Sequence, residues 1–133
     1  MPEARVRAGD GFSAEQRLQL GRAVEAAEAG SGLRFAVYVG ELDGGRSAAQ
    51  AQHAATADPA RTVLVAVDPS SRGLEIVTGP DAASQLDDRT CALAALTMTS
   101  SFAAGDLLGG LRNGLQLLGD HARRGTRRHL ETL

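Results

Sequence analysis

The sequence predicts an α/β fold: a three-layer sandwich with a mixed β-sheet of about four strands and helices on both faces. Three observations predict it. Residues 63–67, Val-Leu-Val-Ala-Val, form an unbroken apolar run of strand length, as expected for a strand covered on both faces at a sheet centre. Turn chemistry follows in Asp68-Pro69-Ser70-Ser71. A second strand then alternates Leu74, Ile76 and Thr78 with Glu75 and Val77, and ends at Gly79-Pro80. Upstream, the order strand, helix, strand over 33–67 reads as a βαβ unit. Strands 33–39 and 62–67 should therefore run parallel, and the hairpin adds an antiparallel strand.

Taken in order, residues 1–11 are polar and Gly-containing and read as a flexible segment, in which Val6 can anchor a short edge strand. Ser13 and Gln16 have capping-box spacing, so a helix starts at 14 and runs to about 29. Leu20, Val24 and Ala27 give its inner face, and Arg17, Gln19, Arg22, Glu25 and Glu28 its solvated one. Gly30-Ser31-Gly32 ends it. In the first strand, Leu33, Phe35, Val37 and Val39 share one face and Arg34, Ala36 and Tyr38 the other. Ser47 and Gln50 repeat the capping-box spacing and open an Ala-rich helix to about Thr56. After Pro80 a short helical turn reaches Leu86. Asp87 or Asp88 then caps a helix to about Ala103, with Cys91, Leu93, Ala95, Leu96 and Met98 available for burial. Asp106 caps the last helix, where Leu107, Leu108, Leu111, Leu115 and Leu118 follow helical spacing. Gly109, Gly110 and Gly114 near that stripe indicate close packing against another helix. These elements place one domain at 12–122, preceded by the flexible segment 1–11 and followed by a basic tail, 123–133.

Composition bounds the function. Of 133 residues, 24 are alanine, and Val, Ile, Leu and Phe together number 29, so the core must be built from Leu and Val with Ala permitting close approach. All 14 basic residues are arginine, and the net charge is -2. A pI of 5.9 argues against general nucleic-acid binding, which needs a concentrated positive field. The basic cluster Arg123, Arg124, Arg127 and Arg128 suits a solvated helix end, or a peripheral contact with phosphate or anionic lipid. Cys91 stands alone in an apolar stretch and reads as a small hydrophobe. No stretch approaches a membrane span, and MPEARVRAGDG lacks the apolar run of an export signal, so a cytoplasmic protein is expected.

No nucleophile–base pair stands out. His53, His121 and His129 lack metal-ligand spacing, and His53 reads as solvated. Thr97, Thr99, Ser100 and Ser101 read as hydroxyls bonding helix backbone. Carboxylates are the remaining candidates. Asp68 ends a strand, where α/β folds place ligands, and Asp87 and Asp88 follow the next strand. If the hairpin brings these three to a shared edge, they offer oxygen ligands to Ca²⁺ or Mg²⁺, with Asp10 and Asp81 as further candidates. The competing expectation is that Arg72 and Arg89 neutralise them in an ion-pair network that needs no metal.

The order FSAEQ helix start, LRFAVYVGEL, Ser-capped helix, TVLVAVDPSSRGLEIVTG, LDD and SSFAAGDLLGGLRNGLQLL resembles the TPM domain over about residues 12–122. It is more similar still to small cytosolic actinobacterial proteins of unknown function with that fold. The most specific piece is Phe102, Gly105-Asp106, Gly110-Leu111 and Gly114. The resemblance implies the α/β sandwich and a role in assembling complexes, such as photosystem repair or respiratory and receptor assembly. In some members it implies weak acid-phosphatase activity or divalent-cation binding in an acidic cleft. Asp68 matches the acidic turn after the central strand and Asp87 the acidic residue before the third long helix, while the usual N-terminal Asp motif is shifted to Asp10-Gly11. Two functions follow as expectations: a non-enzymatic interaction module docking on an unidentified protein partner, or a weak divalent-metal-dependent phosphatase using Asp68, Asp87 and Asp88.

Overall fold

A computed structural model describes the backbone at residues 6–8 and 12–131 and the side chains of 12–125. Four strands form one sheet in the order β1 (Val6–Ala8), β2 (Arg34–Val39), β3 (Thr62–Asp68) and β4 (Gly73–Thr78). β1, β2 and β3 run parallel, and β4 runs antiparallel to β3, as the βαβ-plus-hairpin reading expects. Of the expected flexible segment 1–11, Val6–Ala8 is this edge strand; the rest lies outside the described residues. The helices are α1 (Ala14–Glu28), α2 (Arg46–Ala54), α3 (Pro80–Ala83), α4 (Asp88–Ala103) and α5 (Leu107–Glu131), with a 3₁₀ turn at Pro59–Arg61.

Strand alternation divides the core in two. Phe35, Val37, Val63, Val65 and Val67 point to one face and pack with Leu20 and Val24 of α1, Ala94 and Met98 of α4, and Leu111, Leu115 and Leu118 of α5. Ala36, Leu64, Ala66 and Val77 point to the other and meet Ala49 of α2. All seven residues of β3 are buried. A sheet covered on both sides needs such a strand, because neither face has water to receive a polar side chain. The first helix starts as its sequence dictates: Gln16 N donates to Ser13 Oγ (3.1 Å) and Ser13 N to Gln16 Oε1 (2.8 Å).

The structure corrects the reading in five places. Ser47 is not a cap. The turn at Gly44 and Gly45, both at positive φ, brings the chain into α2 two residues earlier, with Gly45 as an N-cap that makes no side-chain bond. His53 is not solvated. It is 9% exposed, and its Nε2 donates to the Thr62 carbonyl at 3.0 Å, because α2 has only Ala49 and His53 to bury against the sheet. Glu28 is drawn in from the solvated face of α1, its Oε2 accepting from Phe35 N at 2.9 Å. Leu93 and Leu96 are not in the core. α4 meets α5 along Ala94 and Met98, and the two leucines lie off that stripe. Finally, α5 continues through Glu131, so the basic segment from 123 is helix for most of its length.

Helix spacing follows from glycine. A Cβ at Gly114 would stand 2.5 Å from Met98 Cγ, and one at Gly110 2.7 Å from Phe102 Cε1, so both glycines admit α4. Gly119 does the same for α1, where a Cβ would stand 2.8 Å from Ala27 Cα. Gly109 lies outside this seam: its amide donates to Asp106 Oδ1 (2.9 Å), which confirms the Asp106 cap.

At the end of β4 the constraint is stricter. Gly79 is in ordinary extended backbone, yet a Cβ there would overlap the carbonyl oxygens of Pro59 and Ala60 and stand 2.7 Å from Ala60 C. These are main-chain atoms of the turn that leads into β3, and no rotamer change relieves them. Gly79→Ala should therefore destabilise by about 3 kcal/mol, an overpacking cost at the upper end of the usual range. A urea midpoint equal to that of wild type would show that the Pro59–Arg61 turn yields and does not fix the hairpin.

Candidate functional site

The carboxyl end of β3 is where the sequence places its candidate site, and there Asp68 is held on all sides. The residue is 6% exposed. Its Oδ1 accepts from Ser70 Oγ (2.6 Å), Ser70 N (3.1 Å) and Ser71 N (3.4 Å), and its Oδ2 from Leu42 N (3.1 Å). The first three close the turn 68–71. The fourth ties the β2–α2 loop to the sheet, beside a second bond from Gly40 N to the Val67 carbonyl (2.9 Å). The Ser70 hydroxyl first, then the Leu42 amide, hold the carboxyl at about 2, below its ordinary 3.8. Arg72 does not neutralise it, contrary to the ion-pair expectation. That residue sits in the left-handed region at φ 58, and Asp68's bonds come from amides and a hydroxyl.

The expected shared edge is also corrected, and strand register is the reason. Asp68 pairs with Gly73 at the turn end of the hairpin, whereas Thr78 pairs with Val63 at the other end. Asp87 and Asp88 follow from that other end. There Gln85 Nε2 donates to the Ser31 carbonyl (2.8 Å), just before β2 begins, and to the Ala122 carbonyl (3.0 Å). Asp87 is the N-cap of α4, its Oδ1 accepting from Thr90 N at 2.8 Å. This bond holds its carboxyl below the ordinary range, with help from the Thr90 hydroxyl. Asp88 is exposed in the first turn of α4 and Asp81 in that of α3; Asp10 lies outside the described residues. Among the described residues no three His, Cys, Asp or Glu side chains gather where they can hold a metal ion.

Among the described residues, the other candidate nucleophiles are tied to structure. Burial, then the nearby Asp88 and Asp87 carboxylates, push the Cys91 thiol up, away from thiolate. Thr97 Oγ1 donates to the Leu93 carbonyl and Thr99 Oγ1 to that of Ala95, both at 3.0 Å, as read from sequence.

Two surface features are invisible to motif reading. The first is the outward side of α4, where Ala92, Leu93, Leu96, Thr99, Ser100 and Ala103 are all exposed. Leu93 is 49% and Leu96 65% exposed, and no charged residue occurs from Thr90 to Ala104. The second is a groove of about 470 Å³ between α1 and α5. Ala23, Ala26 and Ala27 line it, as do Gln19 and Arg22 from α1 and Arg112, Asn113, Gln116, Asp120 and Arg123 from α5. Arg123 is locked in place: Nη1 donates to the Ala26 and Ala29 carbonyls (3.0 Å each), and Nη2 pairs with Asp120. The polar residues of α5 recur at helical spacing, so the stripe is legible in sequence. That it faces α1 is not, because the Gly119–Ala27 contact sets it.

The site and topology define a mixed α/β domain in which structural bonds engage both ends of the central strand β3. The chain belongs to the DUF5130 family, a domain of unknown function whose family model matches residues 3–119. Solved structures share the fold. The NMR structure of BA42 protein from the psychrophilic bacterium Bizionia argentinensis superposes with a TM-score of 0.73 at 18% identity, over 87% of this chain and 85% of that one. The N-terminal domain of cg2496 protein from Corynebacterium glutamicum gives 0.71 at 17%, over 89% and 79%. The N-terminal domain of a P. gingivalis protein gives 0.69 at 17%, over 87% and 80%. At these identities the likeness is one of fold.

The Asp68 bonds make a pH signature. With its folded pKa depressed, Asp68 adds stability that is fully present above about pH 4 and is lost as pH falls toward 2. Urea midpoints should fall more steeply between pH 4 and pH 2 in wild type than in Asp68→Asn, which has no carboxylate to titrate there. Parallel curves would show that the carboxylate is not the acceptor holding the turn and loop.

Proposed function

We propose that this DUF5130 domain is a TPM-like, non-enzymatic interaction module that works in the cytoplasm and docks on another protein through the outward side of α4. The single observation that carries the reading is the uncharged, leucine-centred stripe Ala92, Leu93, Leu96, Thr99, Ser100 and Ala103. Interface centres are depleted in charge and enriched in apolar side chains, and a surface helix without partners carries charge on its outer face. Asp and Arg occupy the first turn of α4, at 88 and 89, so charge stops where the stripe begins. The phosphatase alternative draws no support from the hairpin register, which sends Asp68 and Asp87 to opposite ends of β4.

A photo-reactive amino acid at position 96 in the growing cell tests this directly, with position 50 on exposed α2 as control. The expected result is a discrete adduct with another protein at 96, absent at 50 and lost when Leu93→Glu is added. Adducts missing at 96, or equal at 96 and 50, would overturn the assignment of α4 as the docking face.

A further inference from the structure

We infer that the α1–α5 groove is a binding site for a small, soluble polyanion carrying at least two oxyanion groups, such as a phosphate ester or a di- or tricarboxylate. The groove has the size of a small-molecule site, about 470 Å³. Its walls are held: Gly119 seats α5 on Ala27, and Arg123 bonds the carbonyls of Ala26 and Ala29 across the helix pair. Its charge is set by a division of labour among four side chains. Asp120, the one carboxylate among the lining residues, is spent on Arg123. Arg22 and Arg112, one from each helix, have no ion pair or hydrogen bond among the described residues, nor do Gln19, Asn113 and Gln116. Two uncompensated guanidiniums thus face a rigid, alanine-lined floor with three amides beside them, on a chain whose net charge is -2.

Chemistry selects the ligand from there. A guanidinium offers a planar fork of donors that matches a carboxylate or phosphate oxygen pair. Side-chain amides supply further donors without adding charge, which suits a polar body between two anionic ends. The only apolar lining is alanine, which offers a bulky apolar group little to pack against and suits a compact polar ligand.

The test is an NMR titration of the intact chain with pyrophosphate and, separately, citrate at constant ionic strength, alongside sedimentation with phosphatidylglycerol vesicles. The expected result is saturable shifts of groove amides with at least one free anion. Arg22→Gln and Arg112→Gln should each weaken binding by about tenfold or more, since each removes a charge-assisted bidentate contact. Arg34→Gln, an exposed arginine at the start of β2, should leave it unchanged. Because Arg22 and Arg112 are exposed and unbonded, melting temperatures should not move, so a loss of binding is not a loss of fold. Non-saturable shifts with both anions, or an equal effect of Arg34→Gln, would overturn the site. Vesicle binding with both free anions silent would overturn a soluble ligand and assign the arginines to a lipid headgroup.

Discussion

Burial of β3 on both faces is the constraint on which the rest of the molecule depends. Val63, Val65 and Val67 need the helical layer, and Leu64 and Ala66 need α2. A strand so enclosed has no water for its ends either, so its two buried polar residues must find partners within the protein. Asp68 does so through the turn and the β2–α2 loop. Thr62 does so at the other end: its hydroxyl donates to the Asp58 carbonyl (2.6 Å), and its own carbonyl accepts from Gly79 N (3.1 Å) and His53 Nε2 (3.0 Å). The bonds that finish the strand are therefore the same bonds that place α2, the hairpin and the turn before β3.

This has a functional consequence. The carboxyl end of the parallel strands, where α/β proteins place ligands, is here consumed by structure. Both carboxylate oxygens of Asp68 accept structural bonds, and the register carries Asp87 and Asp88 away from it. In the function proposed above, recognition falls to the helical layer. There α5 lies between α1 and α4, and glycines at 110, 114 and 119 let it pack close to both. Close packing leaves two surfaces of opposite character: the uncharged outer side of α4 and the arginine- and amide-lined groove beside α1.

Much of the fold was legible because it is written in local pattern. The apolar run 63–67, the alternation in 33–39 and 74–78, the capping box at Ser13 and the caps at Asp87 and Asp106 all act within a few residues. Most of the errors share a physical source, which is that burial is decided by neighbours distant in sequence. Leu93 and Leu96 read as core by hydrophobicity, but the glycine seam turns Ala94 and Met98 inward instead. His53 reads as solvated, yet a helix offering only alanine must bury it. Asp68 and Asp87 lie on either side of β4 in sequence, and a strand separates what flanks it by its own length. Glycine pairs also hide helix starts, as Gly44-Gly45 does for α2. The groove has no motif at all, since it exists only where two helices far apart in sequence meet.

Native-state hydrogen exchange tests the primacy of β3 most directly. Core elements open only with the whole molecule, whereas weakly held elements open alone at lower cost. The amides of Val63, Val65 and Val67 should exchange with a free energy equal to that of global unfolding measured in urea. Those of α2, which buries only Ala49 and His53 and is otherwise tied to the sheet by exposed Arg46 bonds, should exchange through cheaper local opening. Exchange of the β3 amides at a lower free energy than those of α5 would contradict the account, because the helical layer would then stand without the strand it is built on.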